Sequence, residues 1–222
     1  MNPPELLGVL AESFAGTDAG RTLPMRLCAA CVDTFGAQGG ALTVLAGPGD
    51  QVAVSTPGEY EQLEPLQEVL GEGPVPRAIG EDRLVALCLG EVVDEYPVFS
   101  HLAGSMSGDA TAEATLYAVP MRVTPRVVGA LSVYVTGDLA ARAPDLQLVA
   151  DAVGTILLRR TTLGDWSEKA SFHQATGMVA AEFGIRPDDA SAMIRAHAFA
   201  RSTSLLEVAD DVLARRRFPG DG

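Results

Sequence analysis

Two apolar runs, residues 115–122 (TLYAVPMR) and 126–135 (RVVGALSVYV), are separated by little more than Thr124-Pro125 and closed by Gly137. A connection that short joins antiparallel strands only, because parallel neighbours need a crossover of a dozen or more residues. A lone hairpin is marginal in water, so this pair must belong to a larger sheet. The period-two signal recurs upstream. Residues 40–46 (GALTVLA) and 51–55 (QVAVS), joined by GPGD, read as a second hairpin, and 83–89 (RLVALCL) as a further strand.

Helical spacing fills the intervals. Residues 3–15 place Leu6, Leu10 and Phe14 at i, i+4, i+8 behind Pro3 and Pro4, and residues 22–35 repeat Leu23, Leu27, Cys31 and Phe35. Residues 58–70 read as a helix ending at Gly71. The loop GEGPVPRAIG then leads into a short helical turn, and Pro144 opens a helix from 144 to 161. Five or six strands with interleaved helices make the first 155 residues an α+β module.

Beyond residue 165 the strand signals stop. Residues 167–183 are helical up to Gly184. Pro187, with Asp188 and Asp189 behind it, opens a second helix to about Ala200. The capping-box pattern Ser204-Leu205-Leu206-Glu207 opens a third, with Arg215 to Arg217 in its last turn. The expected organisation is an α+β domain over residues 1–155, a helical linker over 156–166 and a three-helix unit over 167–222. Charge divides at the same place. The net −13 belongs wholly to residues 1–155, which hold 7 Arg against 20 acids, while residues 156–222 hold 9 of each sign. Phosphate contacts supply much of any nucleic-acid affinity, so the acidic part is excluded as a nucleic-acid binder and the neutral part is not.

Several function classes fall away. No run of about 18 apolar residues exists to span a bilayer. The first residues, MNPPELLGVLAES, lack the basic region of a signal peptide, so a cytoplasmic protein with no membrane partner is expected. Cys28, Cys31 and Cys88 are an odd set without a disulfide framework. The Cys28/Cys31 pair has no second Cys/His pair to complete a metal site and reads as two buried small hydrophobes. Neither a phosphate-loop glycine spacing nor a nucleophile elbow is present. No catalytic residue, metal ligand or cofactor is therefore expected, and the chain is not read as an enzyme.

Three blocks of the helical part keep their order and spacing: His173-Gln174-Ala175-Thr176-Gly177-Met178-Val179, then Asp189 to Ala198 around Met193-Ile194-Arg195, then Leu205-Leu206-Glu207-Val208-Ala209. Over about residues 165–216 this resembles the ANTAR family, the RNA-binding output domains of transcription antitermination regulators. The family lysine of Ala-Lys-Gly is Thr176 here, which brings a hydroxyl and no charge. The first part, over about residues 5–155, resembles a GAF sensor domain through Gly71-Glu72-Gly73-Pro74, Tyr96-Pro97-Val98-Phe99, Ala118-Val119-Pro120-Met121 and Val128 to Tyr134. Val75 stands where many relatives carry cysteine.

The resemblance implies a signal-responsive regulator that binds paired stem-loops in a leader transcript. The RNA-binding candidates are His173, Gln174, Thr176 and Gly177 on the first helix, with Arg195, Arg201, Ser202 and Thr203 along the second helix and the loop after it. Tyr96, Phe99, Tyr117, Met121 and Tyr134 are the candidate sensor pocket on one sheet face, or ordinary core. The partners implied are RNA, a second copy of the chain through a helical connector from residue 144 onward, and a small-molecule ligand or upstream signalling protein. A second reading makes the chain a dimeric signalling scaffold whose helical unit docks protein partners. It rests on Thr176 and on the neutral balance of the tail.

Overall fold

The computed structural model describes residues 2–47, 50–106, 113–160, 167–203 and 205–214. It divides into two compact units, Met1–Arg160 and Thr161–Gly222. Unit 1 runs α1 (Pro3–Gly16), α2 (Leu23–Phe35), β1 (Gly39–Gly47), β2 (Asp50–Ser55), α3 (Leu63–Leu70) and α4 (Pro74–Glu81). It continues with β3 (Val85–Cys88), α5 (Pro97–Met106), β4 (Ala114–Val123), β5 (Arg126–Thr136), a short 3-10 turn and α6 (Ala143–Arg160). The five strands form one antiparallel sheet in the order β2-β1-β5-β4-β3, an α+β architecture.

The 115–135 hairpin lies in the middle of that sheet. β5 pairs with β4 from Ala114↔Thr136 to Val123↔Arg126 and with β1 from Gly39↔Tyr134 to Val44↔Gly129. Both faces are covered, which is why residues 116–121 and 130–135 are buried without alternation. Helices α3, α4 and α5 lie on one face. Tyr60, Leu63 and Phe99 pack there on Leu116 and Tyr134, and Val75 and Ala78 on Ala118 and Ala130. Helices α2 and α6 lie on the other face, with α1 against both. α6 approaches the hairpin closely at Gly154, where a Cβ would stand 2.9 Å from the Met121 Cβ.

Some boundaries differ from the expected ones. The helix expected over 58–70 begins only at Leu63, because residues 58–62 form tight turns (Glu61 N to Gly58 O, Leu63 N to Tyr60 O) that deliver Tyr60 to the sheet. The GEGP loop leads into a full helix, α4, with Pro74 in its first turn. The 90–106 stretch contains α5.

Unit 2 holds α7 (Ser167–Phe183), α8 (Pro187–Arg201) and α9 (Leu205–Leu213), which pack on one another through Ala175, Val179, Ala190, Ile194, Ala198, Val208 and Ala209. Ser204, Arg215, Arg216 and Arg217 lie outside the described residues, as do residues 161–166 of the expected linker. Of the expected connector positions, Val149 and Val153 are buried within unit 1. No helix among the described residues is long and apolar enough to cross a membrane.

Gly129 is the tightest point of the sheet: a Cβ there would lie 2.0 Å from the Thr43 carbonyl oxygen and 2.8 Å from the Met121 Cε. Gly129→Ala is expected to cost about 3 kcal/mol and to lower the melting temperature of this unit by roughly 6–12 °C. Gly8→Ala, in an open position of α1, is expected to stabilise by about 0.5–1 kcal/mol. Circular-dichroism melts of the two variants check both. Gly129→Ala melting with the wild type would contradict the close approach.

Candidate functional site

A buried carboxyl occupies the α3 side of the sheet. Glu64 is 2% exposed. Its Oε1 accepts from the Tyr134 hydroxyl at 3.1 Å and its Oε2 from the Thr43 hydroxyl at 3.2 Å, tying α3 to β5 and β1. Ser132 faces the same carboxyl without a hydrogen bond of good geometry. Burial raises the Glu64 pKa above its ordinary 4.5, and the Ser132, Tyr134 and Thr43 hydroxyls pull it partly back. Burial, and then the Glu64 charge, push the Tyr134 phenol well up. Tyr60 stacks on Tyr134 with ring centroids 4.6 Å apart.

The same helix and the loop after it hold two neighbouring helices. Gln67, 1% exposed, accepts the Val75 N–H at 2.8 Å in the first turn of α4. Gly73, at φ +129, has no room for a side chain, since a Cβ would stand 2.7 Å from the Gln67 Oε1. Glu72 accepts the Phe99 N–H at 2.7 Å in the first turn of α5, where a carboxylate also meets the favourable end of the helix dipole. The Gly71-Glu72-Gly73-Pro74 motif thus sets two helix starts.

The five candidate pocket residues do not share a face. Tyr96, Phe99 and Tyr134 meet in one cluster with Tyr60, Leu63, Leu89 and Leu116, packed side against side. Leu116 pairs with Tyr134 across the hairpin, so Tyr117 and Met121, odd-numbered on the same strand, point to the α6 side. Met121 packs against Gly154. The Tyr117 hydroxyl donates to Asp138 at 2.7 Å and accepts the Leu139 N–H at 2.9 Å, fixing the turn before α6. Alternation places Tyr117 and Met121 on one face of β4, but only the pairing of Leu116 with Tyr134 decides that Tyr134 faces the other way. Glu64 and Gln67 are the polar residues that reading the sequence missed. The signal available was a polar pair at i, i+3 on the apolar stripe that starts at Leu63.

The cysteine pair behaves as expected of small hydrophobes. Cys28 and Cys31 are buried and free, and burial, followed by the Glu64 charge, pushes the Cys28 thiol up to about 12. Such a thiol forms little reactive thiolate at neutral pH.

In unit 2 the motif residues sort into inward and outward sets. Thr176 is 9% exposed, and its hydroxyl donates to the Phe172 carbonyl at 2.8 Å, so it is turned onto its own helix. Ala175 is buried beside it. Gly177 is exposed, and among the described residues nothing lies within 4 Å of where a Cβ would stand. His173 and Gln174 lie on α7, with side chains outside the described set. Arg195 is half-buried on α8. Arg201 pairs with Asp211 of α9 at 3.0 Å. Ser202 closes α8 at φ +51, and the Thr203 hydroxyl donates to Glu207.

No family model matches the chain. No curated protein matches it. Among solved structures it is similar to the GAF domain of A. aeolicus nlh2 in an inactive state, at 10% identity and TM-score 0.48 over 72% of this chain and 97% of that one. It is also similar to a GAF domain/HD domain protein from Geobacter sulfurreducens, at 14% identity and TM-score 0.38 over 71% and 93%. A third similarity is to an RNA-binding Light-Oxygen-Voltage receptor, at 16% identity and TM-score 0.26 over 80% of this chain and 47% of that one.

The raised Glu64 pKa has a measurable sign. Above pH 4.5 the unfolded chain releases a proton that folded Glu64 retains. The wild type therefore loses stability as pH rises from there through the folded value. Glu64→Gln keeps the shape and an acceptor but cannot ionise. Its melting temperature relative to wild type is expected to climb between pH 5 and pH 8. A difference that stays constant over that range would show that the carboxyl titrates alike in both states.

Proposed function

We propose that this chain is a signal-responsive regulator of transcription antitermination. Its first unit is a GAF-like sensor that responds to a small molecule or an upstream signalling protein. Its second is an ANTAR-like unit that binds paired RNA stem-loops in a leader transcript. The regulator works as a homodimer in the cytoplasm, without enzymatic chemistry. The reading rests on the three ordered sequence blocks of residues 165–216, and within them on Gly177. A glycine in a helix interior costs about 1 kcal/mol against alanine. Among the described residues, no packing contact of unit 2 asks for a missing side chain at this position. A residue that weakens its own helix without serving the fold is accounted for by something outside it, and a bare exposed helix surface lets an RNA backbone approach closely. The connection from Gly184 to Arg186 folds α8 back beside α7, so Gly177 and Arg195 lie a similar number of residues from the turn. The arginine is suited to phosphate and the neighbouring polar groups to unpaired loop bases.

One observation favours the second reading, in which the helical unit docks a protein partner. Thr176, Arg201 and Thr203 already spend their polar groups inside the unit.

Fluorescence anisotropy with a two-stem-loop leader RNA separates the readings. The full chain is expected to bind it more tightly than a scrambled RNA, with affinity falling as salt rises. Gly177→Leu is expected to weaken binding at least tenfold while leaving helicity intact. Arg195→Ala is expected to reduce the salt slope by about one counterion. Equal binding of both RNAs would overturn the RNA reading. Loss of a captured protein partner in Arg195→Ala, with no RNA effect, would install the docking reading in its place.

A further inference from the structure

On the face of unit 1 opposite the Tyr134 cluster, α1, α2, α6 and the β4–β5 turn enclose a groove of about 1090 Å³. Leu10 and Leu27 form its floor and are buried, while Leu7, Phe14, Leu148 and Ile156 make its walls. It stays open because small residues, Ala11 on α1 and Ala152 on α6, line the two helices where larger ones would close the gap. A concave, mainly apolar space of this order, with a few polar groups, is the usual form of a small-molecule site.

The polar lining decides which molecule fits. The Arg122 guanidinium is committed to Asp82, through its carboxylate at 2.6 Å and its carbonyl at 2.7 Å. Asp151 is committed to the Arg122 backbone N–H at 2.9 Å and to the Gln147 amide at 2.7 Å. Arg159 is different. It lines the groove from the last turn of α6, is exposed, and has no ion-pair partner among the described residues. The groove therefore offers apolar walls and, at its Arg159 end, a positive charge in no ion pair among the described residues; Asp151, held by neutral donors, keeps its negative charge about two helical turns earlier on α6.

We infer that this groove binds an apolar monoanion, an acyl chain or fused-ring body carrying one carboxylate, with the body along the leucine walls and the carboxylate on Arg159. Guanidinium and carboxylate match as a two-pronged pair. A cation is repelled at that position, and an uncharged chain leaves the arginine unused. Arg159 is one residue from the end of α6, so occupancy acts on the last turn of the helix that leads out of unit 1. The site lies on the sheet face opposite the buried Glu64 cluster, and its occupancy does not depend on what the helical unit binds.

The test titrates the full chain calorimetrically, without RNA, with dodecanoate below its micelle concentration, against dodecan-1-ol and dodecyltrimethylammonium. Saturable binding of dodecanoate is expected, tighter than that of either comparison chain. Arg159→Gln should weaken dodecanoate about tenfold or more and leave dodecan-1-ol unchanged. Ala152→Trp fills the groove and should abolish binding. Thr155→Phe fills it from the adjacent turn and serves if the tryptophan variant fails to fold. Absence of dodecanoate binding would overturn the inference, as would equal binding of all three amphiphiles. A third overturning result is halving of the solution mass by Ala152→Trp or Thr155→Phe without any amphiphile, which would make the groove a contact between two copies.

Discussion

Residues 1–160 depend on β5 having neither a free edge nor a free face. β1 takes one edge, β4 takes the other, and helices cover both sides. A strand so enclosed must satisfy its backbone groups within the sheet, since water cannot reach them. Enclosure also removes the tolerance that an exposed strand has for extra atoms. Gly40, against the Ser132 carbonyl, Gly129, under the Thr43 carbonyl, and Gly154, where α6 meets Met121, are points where the backbone or a helix comes closer than a side chain allows.

Enclosure creates a second demand, because β5 carries Ser132 and Tyr134 into the core. Hydroxyls buried there need partners, and Glu64 reaches over from α3 to accept from Tyr134 and from Thr43 of β1, with Ser132 facing the same carboxyl. Burying a carboxyl is unfavourable in its charged form, and the raised pKa expresses that cost. Gln67 and Glu72 extend the same device along the chain by holding the first turns of α4 and α5. The aromatic block Tyr96, Phe99 and Tyr134 is consequently packed core, anchored by polar contacts from a stretch of nine residues. An open groove lies elsewhere in this unit, on the α1–α6 side.

The helical unit shows how a short motif mixes two kinds of residue. Ala175 and Thr176 face inward and serve packing and the helix backbone, whereas Gly177, the next residue, faces out. A helix turns about 100° per residue, so three consecutive letters of a motif cannot all face one partner. The threonine at position 176 is thus a structural residue, its hydroxyl held by the Phe172 carbonyl one turn back on the same helix.

Much of the architecture was legible in the chain alone because it is set by local periodicity. A two-residue beat interrupted by Thr124-Pro125 can only be an antiparallel hairpin. A four-residue beat behind Pro3 is a helix with a defined start, as Pro187 followed by Asp188 and Asp189 marks another, and the loss of strand signals after residue 165 marks a helix-only unit. Contacts between distant residues were decided by tertiary structure. Alternation says that Tyr117 and Leu116 face opposite ways, but only the pairing of Leu116 with Tyr134 says which of them joins Phe99. Likewise Glu64 reads as one more surface acid of a highly acidic stretch until α3 is laid across β1 and β5. Arg159 reads as one more solvated charge until α1 and α6 enclose a groove beside it. Sequence determines which faces an element has, while burial, pKa and cavities depend on what is packed against each face, and that is settled only when residues far apart in the chain meet.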